Sequence, residues 1–242
     1  MSLSTQSFLP LTTTVADQSA SRRAWDFYAG WFLDPMVYGD YPNCMKLSVG
    51  ERLPKFTKEE QKMVKGSYDF VGVNYYTSRY VQAKKLSSTN ESASYENDQH
   101  LQQLTEKNGV PIGEQAEGFD QIYVYPAGLG AVLQYVKHAY NNPKIFITEN
   151  GYPDKRNDSI PIKQALQDDK RIMVLQQHLY RVRGAIRKGV NIKGYFVWSL
   201  IDNMEPNSYY SIRYGLCYVD YNDNYKRYPK KSVSWYRKLI TG

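Results

Sequence analysis

Two hydrophobic patterns alternate along this chain. Short runs rich in β-branched and aromatic residues, closed by turn formers, read as buried strands. They are YDFVGVNYY at Tyr68 to Tyr76, IFIT at Ile145 to Thr148 and IKGYFVWSL at Ile192 to Leu200. A shorter strand-like piece, Leu3 to Gln6, precedes a Thr- and Ser-rich loop. Between the runs, apolar positions recur at the spacing of one helix face. Ala20, Ala24, Phe27 and Trp31 predict a helix over Asp17 to Phe32. Leu129, Val132, Leu133, Val136 and Tyr140 predict another over Pro126 to Asn141, with Pro126 in the first turn, where its missing N–H costs nothing. The clearest stripe is Ile172, Leu175, Leu179, Val182 and Ile186, within Asp168 to Gly189, and Gly189 stands where a helix stops. Shorter helices are expected over Lys58 to Gly66 and Ser232 to Ile240. LDPMVYGDYP, residues 33–42, reads as a Pro/Gly-punctuated loop. Ser87 to Gly118 is polar and irregular, a length that suits a functional lid or a partly disordered segment.

Strand and helix thus alternate four times. Strands separated by amphipathic helices pair in parallel through right-handed crossovers, so the pattern predicts an α/β fold of about four parallel strands, while the length of 242 residues by itself allows one large domain or two small ones. A closed (β/α) barrel needs eight.

Composition narrows the function classes. With 42% hydrophobic and 23% charged residues, the 242-residue chain is globular in type, and its 23 Tyr suit either core packing or a cleft that stacks polar ligands. The net charge of +7 is spread over RR, KK and KRYPKK segments interleaved with acids, which argues for a solvated basic surface and against nucleic acid. Cys44 and Cys217 give no disulfide framework. The three His lack metal-ligand spacing, and neither a metal nor a cofactor is expected. No run of eighteen apolar residues occurs, so no membrane-spanning helix is expected. The first residues, MSLSTQSFLPLTTT, lack the basic and apolar regions of a signal peptide. Asn90-Glu91-Ser92 and Asn157-Asp158-Ser159 are glycosylation triplets that matter only on the secretory route.

Candidate chemistry centres on Glu149. It ends the IFIT run just before Asn150-Gly151, at the C-terminal end of a strand, where parallel α/β folds place reactive groups. Taken singly, Glu149 reads more readily as a helix N-terminal carboxylate, and Tyr75, Tyr76 and Trp198 as core aromatics. Six segments change that balance together: DPMVYGDYP (34–42), VNYY (73–76), YVYP.G (123–128), ITENG (147–151), GYF.WSL.DN.E (194–205) and RYGL.YVDY (213–221). In this order and spacing they resemble glycoside hydrolase family 1, in its plant β-glucosidase branch.

The resemblance runs from end to end of the chain and implies a single partial domain over residues 1–242, the C-terminal half of a (β/α)8 TIM barrel, entered within the fifth strand. It implies retaining hydrolysis of β-glucosides, with Glu149 as nucleophile, Asn74 and Tyr76 supporting it, Trp198 as the platform under the sugar ring and Glu205 as the acid clamping the outer hydroxyls. It also implies a gap. The family's proton donor is the Glu of an Asn-Glu-Pro motif ending the fourth strand, and no residue here takes that place. Asn203-Met204-Glu205-Pro206 is an echo only, because its register is that of the sugar clamp. Pro206, Tyr209 and Gln121 depart from the family's Trp, Gly and Trp at their positions. On these grounds the chain alone is expected to be inactive or nearly so. Its two open sheet edges are expected to pair with a full-length β-glucosidase or with a second copy. Family members usually occupy secretory compartments.

Overall fold

Alternate residues of the middle strands and the stripe of one helix meet in a single core. The structure, a computed structural model, describes residues 1–84, 92–206 and 208–242. Strands β1 (Ser2–Pro10), β2 (Val71–Ala83), β3 (Ile145–Asn150) and β4 (Ile192–Val197) lie side by side in chain order, and each neighbouring pair is parallel. Between them run α1 (Val15–Trp25), α2 (Trp31–Tyr38), α3 (Pro126–Ala139) and α4 (Asp169–Arg187), and α5 (Lys231–Thr241) follows β4. This sequential order is that of half a (β/α) barrel. Val71, Val73 and Tyr75 of β2, with Ile145 and Ile147 of β3, pack against all five residues of the predicted α3 stripe, Leu129, Val132, Leu133, Val136 and Tyr140. Burying each such side chain contributes about 1.5–3 kcal/mol. Gly128 lets α3 approach β2: a Cβ there would lie 2.1 Å from the Tyr75 hydroxyl.

Four segments differ from the sequence expectation. The first helix starts at Val15 and runs on through a π-helical turn at Asp26–Gly30 into α2, taking in the Leu33 to Tyr38 stretch read as loop. Pro35 lies inside α2, and the helix ends one turn later, where Gly39 takes the left-handed conformation. β2 continues seven residues beyond Tyr76, with Leu101–Leu104 antiparallel along its end. The polar stretch read as a lid or a partly disordered segment therefore contributes a short helix, Tyr95–Asp98, and four short strands, of which Leu101–Leu104 is the first; its residues 87–91, with Asn90 and Glu91 of the Asn90 triplet, lie outside the described residues. The buried face of α4 is also turned from the predicted stripe. Leu175 and Val182 are buried, but Arg171, Val174, His178 and Ala185 complete the face, while Ile186 is 50% exposed. Polar residues can enter a core when partnered: the Val174 carbonyl meets His178 Nδ1 at 2.8 Å, and Arg171 is ion-paired. A search for apolar residues alone passes over them.

Two half-buried acids, Asp34 of α2 and Asp26 of the π-helical turn before it, have a consequence for pH. Burial pushes the Asp34 carboxyl up to about 6, against hydrogen bonding from the Tyr140 hydroxyl at 2.8 Å; Asp26 raises it further and Lys46 opposes. Asp26 is itself raised by burial, against the Cys44 thiol and Arg22. A carboxyl whose folded pKa lies above its unfolded value binds more protons in the fold, so its stabilising contribution is present at low pH and lost as pH rises through the folded value. Urea unfolding between pH 4 and about 7 is expected to show this decline, and Asp34→Asn is expected to flatten it. An identical slope in the variant would count against the assignment.

Candidate active site

The pleat of β3 by itself would send its glutamate into the core. Ile145 and Ile147 are buried against the helices, and Glu149 is the next residue in that series. A register shift intervenes: Val73 pairs with Ile147, but Asn74 pairs with Glu149 instead of Thr148. Such bulges re-aim side chains beside active sites. After the shift Asn150 carries on the buried series, fully enclosed, and Glu149 turns to the side of Tyr76. Asn150 fastens the neighbouring strands there. Its Nδ2 donates to the Tyr75 carbonyl at 2.7 Å, its Oδ1 accepts from the Tyr195 hydroxyl at 2.6 Å, and its carbonyl accepts from the Trp198 N–H at 3.0 Å.

The Tyr76 hydroxyl donates to Glu149 Oε2 at 2.7 Å. Burial, and then the Glu149 charge, push the Tyr76 phenol far above its ordinary range, so it remains a protonated donor at any working pH. The Tyr214 ring meets Tyr76 edge-on, with centroids 5.7 Å apart. Tyr76 and Trp198 both pack on a cluster made by Ile122, Tyr152 and Tyr214, which forms the wall beside the nucleophile. Asn74 is not brought to the carboxylate by its side chain: its Oδ1 accepts from Ser2 Oγ at 2.9 Å and Thr148 Oγ1 at 2.5 Å.

The second pair stands on the loop after β4. The Trp198 indole N–H donates to Glu205 Oε1 at 2.8 Å, and the Asn203 amide donates to the same oxygen at 2.9 Å. Ser199 Oγ donates to Asn203 Oδ1 at 2.9 Å and aims that amide. Glu205 Oε2 has no donor among the described residues. Only glycine fits at position 151, where a Cβ would lie 2.0 Å from the Trp198 carbonyl oxygen. Glu205 and Tyr209 exchange backbone hydrogen bonds at 2.9 and 2.8 Å, with Tyr209 in the left-handed region at φ 48°. That conformation accounts for a glycine being the family's choice where Tyr209 stands.

A buried ionic frame lies underneath. Asp202 accepts from Arg213 at 2.7 Å, Lys230 at 3.0 Å, the Gly215 N–H at 2.9 Å and the Val219 N–H at 3.2 Å. Arg171, completely buried, pairs with Asp168 at 2.7 Å and Asp154 at 2.5 Å and reaches the carbonyls of Tyr152 and Arg213. The sequence reading missed Asn150, Asn203, Tyr214 and this frame as site parts. Asn150, Asn203, Tyr214, Asp202 and Arg213 lie within quoted segments, whereas Asp168, Arg171 and Lys230 lie outside them, and nothing in the spacing of one chain assigns any of them a hydrogen bond. Among the described residues no group of three or more His, Cys, Asp or Glu could hold a metal ion, and no helix is long and apolar enough to cross a membrane.

The site thus offers a carboxylate held by a phenol and, across an aromatic wall, an indole with a second carboxylate as acceptor. That constellation suits a polyhydroxylated ring. Comparison with known proteins gives the same direction. The profile of "Glycosyl hydrolase family 1" matches residues 1–242. Beta-glucosidase 24 of Oryza sativa subsp. japonica is 47% identical over 232 residues, 96% of this chain and 46% of its own length. Raucaffricine-O-beta-D-glucosidase of Rauvolfia serpentina is 49% identical over 223 residues, 92% of this chain and 41% of its own. The crystal structure of rice Os3BGlu6 beta-glucosidase superposes with a TM-score of 0.95 at 43% identity, covering 99% of this chain and 50% of that one. A mutant of the same rice enzyme, in a covalent complex with Glc, matches at 0.94. The chain spans about half the length of the curated relatives it matches. Those relatives are β-glucosidases on a TIM barrel, and this chain, with half of that barrel's sheet, belongs to glycosyl hydrolase family 1.

Proposed function

We propose that this chain carries the nucleophile half of a retaining β-glucosidase centre. The observation that carries the reading is the 2.7 Å hydrogen bond from Tyr76 to Glu149 at the rim of a parallel sheet. In the reaction, a Glu149 carboxylate oxygen forms a bond to the anomeric carbon while the bond to the aglycone oxygen breaks, leaving a glycosyl-enzyme. Tyr76 keeps the carboxylate aimed, Trp198 underlies the ring, and Glu205 accepts from its outer hydroxyls. Asn74 acts one step back, fixing Thr148 beside the nucleophile.

Retention needs a second carboxyl about 5–5.5 Å away to protonate the leaving oxygen. Glu205 is taken up by Trp198 and Asn203 in the clamp, and no other residue of this chain is assigned the donor's part. Losing general acid help costs about 10²–10⁴ in rate, or about 3–5 kcal/mol. The purified chain is therefore expected to leave natural O-glucosides intact, while any residual release of aglycone rises steeply with leaving-group acidity. Ordinary β-glucosidase rates on natural O-glucosides would refute the reading.

A second reading rests on the sheet. β1 and β4 each have a backbone edge unpaired within the described sheet, and Phe196 on β4 and nearby Leu200 are 56% and 70% exposed. Such edges pair with other strands, and the chain would then dock onto a full-length β-glucosidase or a second copy. An unchanged elution profile on mixing with the complete enzyme would dispose of it.

A further inference from the structure

α3 and α4 pack side by side, and their outer surfaces leave a groove of about 330 Å³. Its floor is small: Ala127, Gly130 and Ala131 from α3 face Gly184 and Ala185 from α4. The groove runs on, past shared Ala127, Tyr180 and Arg181, into a second hollow of about 560 Å³ beside Tyr125 and Gln177. Arg181, Arg183, Arg187 and Lys188 line the first hollow, and no carboxylate lines either. The sequence enforces this single sign, because no Asp or Glu occurs between Gln121 and Thr148 or between Lys170 and Ile201. The α4 cations that do pair, Lys170 with Glu114 and Arg171 with Asp154 and Asp168, sit in its first turn, away from the groove. A cleft walled by one sign of charge concentrates the opposite sign within it.

We propose that this groove binds an acidic, extended peptide segment of a partner protein. The dimensions favour a single strand of chain. α3 has 14 residues and is about 21 Å long, which matches about six or seven extended residues. With axes about 8–10 Å apart and diameters of about 10–12 Å, the two helices touch, and the furrow along their outer surfaces is too narrow to seat a nucleic-acid duplex. Tyr180 is 68% exposed at the junction of the two hollows, with the Arg181 guanidinium 6.0 Å from its ring centroid. Tyr and Arg are the side chains that most often anchor protein interfaces. Gln134 Nε2 lines the groove shielded from solvent and has no acceptor among the described residues, so a peptide carbonyl would satisfy it. The proposal does not depend on the glucosidase reading, since groove and nucleophile share no residue.

The test is fluorescence anisotropy of the whole chain with a labelled decapeptide of alternating glutamate and tyrosine. Its counterpart with glutamine for glutamate, a DNA duplex and phosphatidylserine vesicles serve as competitors. The acidic peptide is expected to bind at least about tenfold more tightly than the glutamine peptide, with affinity falling as salt rises. Combined Arg181→Glu, Arg183→Glu and Arg187→Glu substitution is expected to abolish binding, while Lys55→Glu with Lys62→Glu, elsewhere on the surface, leaves it within about twofold. Gly184→Leu covers the case in which the triple variant misfolds: an added Cβ there meets nothing within 4 Å, so a larger side chain starts into open space at the groove floor. It too should abolish binding. Equal affinity for the glutamine peptide, undiminished binding to Gly184→Leu, or stronger binding of DNA or vesicles through the same arginines would each overturn the proposal.

Discussion

Asp202→Ala is expected to remove about 3–5 kcal/mol from the fold, which is much of the about 5–15 kcal/mol a whole domain has. The side chain is enclosed and answers two buried cations and two backbone N–H groups at once. Removing it leaves Arg213 and Lys230 in a dry environment, where burial already pushes the Lys230 ammonium down to about 8. The damage would reach the site, since Asp202 follows the loop that bears Trp198. That loop is tied to the next segment by backbone bonds from Ser199 to Tyr214, Leu216 to Ser199 and Asp202 to Cys217. Urea unfolding measures the effect. Asp223→Ala is the control: its pair with Lys226 is about half exposed on both sides, and exposed pairs contribute about 0–1 kcal/mol. Similar losses in both variants would mean that the buried frame is not what holds this end of the sheet.

Tyr76→Phe is expected to slow attack by Glu149 about ten- to hundredfold with little change in stability. A hydrogen bond to a charged group contributes about 1.5–3 kcal/mol, and here the phenol both neutralises part of the carboxylate's desolvation and fixes Oε2. The rate of covalent labelling by a 2-fluoro glucoside with a dinitrophenolate leaving group reads this step, because such a probe needs little proton donation. Tyr214→Phe is the comparison. Its ring touches Tyr76 edge-on, but its hydroxyl bonds no site residue among the described residues, so the labelling rate should stay within about threefold. Equal slowing by both substitutions would point to loss of packing and not of the donor.

Much of the fold was legible because its strands and helices are periodic. The α3 stripe is buried at every predicted position, and the three apolar runs are the three later strands of the sheet. Legibility fails where polar groups do the packing. Arg171 and His178 complete the face of α4, and no hydrophobic pattern marks a polar residue whose burial depends on a partner, whether the Val174 carbonyl one turn back or the Arg213 carbonyl far along the chain. It fails also at β3, where strict alternation would bury Glu149. The register shift that exposes it arises from pairing with Asn74, some seventy residues earlier, and cannot be read from IFITENG alone. By family resemblance the motifs assigned Tyr76 to the support of Glu149 and Trp198 and Glu205 to the sugar; one hydrogen bond joins Tyr76 to Glu149 and another joins Trp198 to Glu205. For Asn74 the resemblance gave nearness to the nucleophile; it pairs with Glu149 across the strands, and its side chain bonds Thr148 and Ser2.

The central claim is that Glu149 is a competent nucleophile whose proton-donating partner is not among these residues. Peptide mass analysis of the chain after incubation with the dinitrophenyl 2-fluoro glucoside tests it most directly. The account predicts a fluoroglucosyl adduct on the peptide containing Glu149, lost in Glu149→Gln, in a protein that leaves natural O-glucosides uncleaved. An unlabelled Glu149 in the folded chain, or an adduct on a different carboxylate, would contradict it.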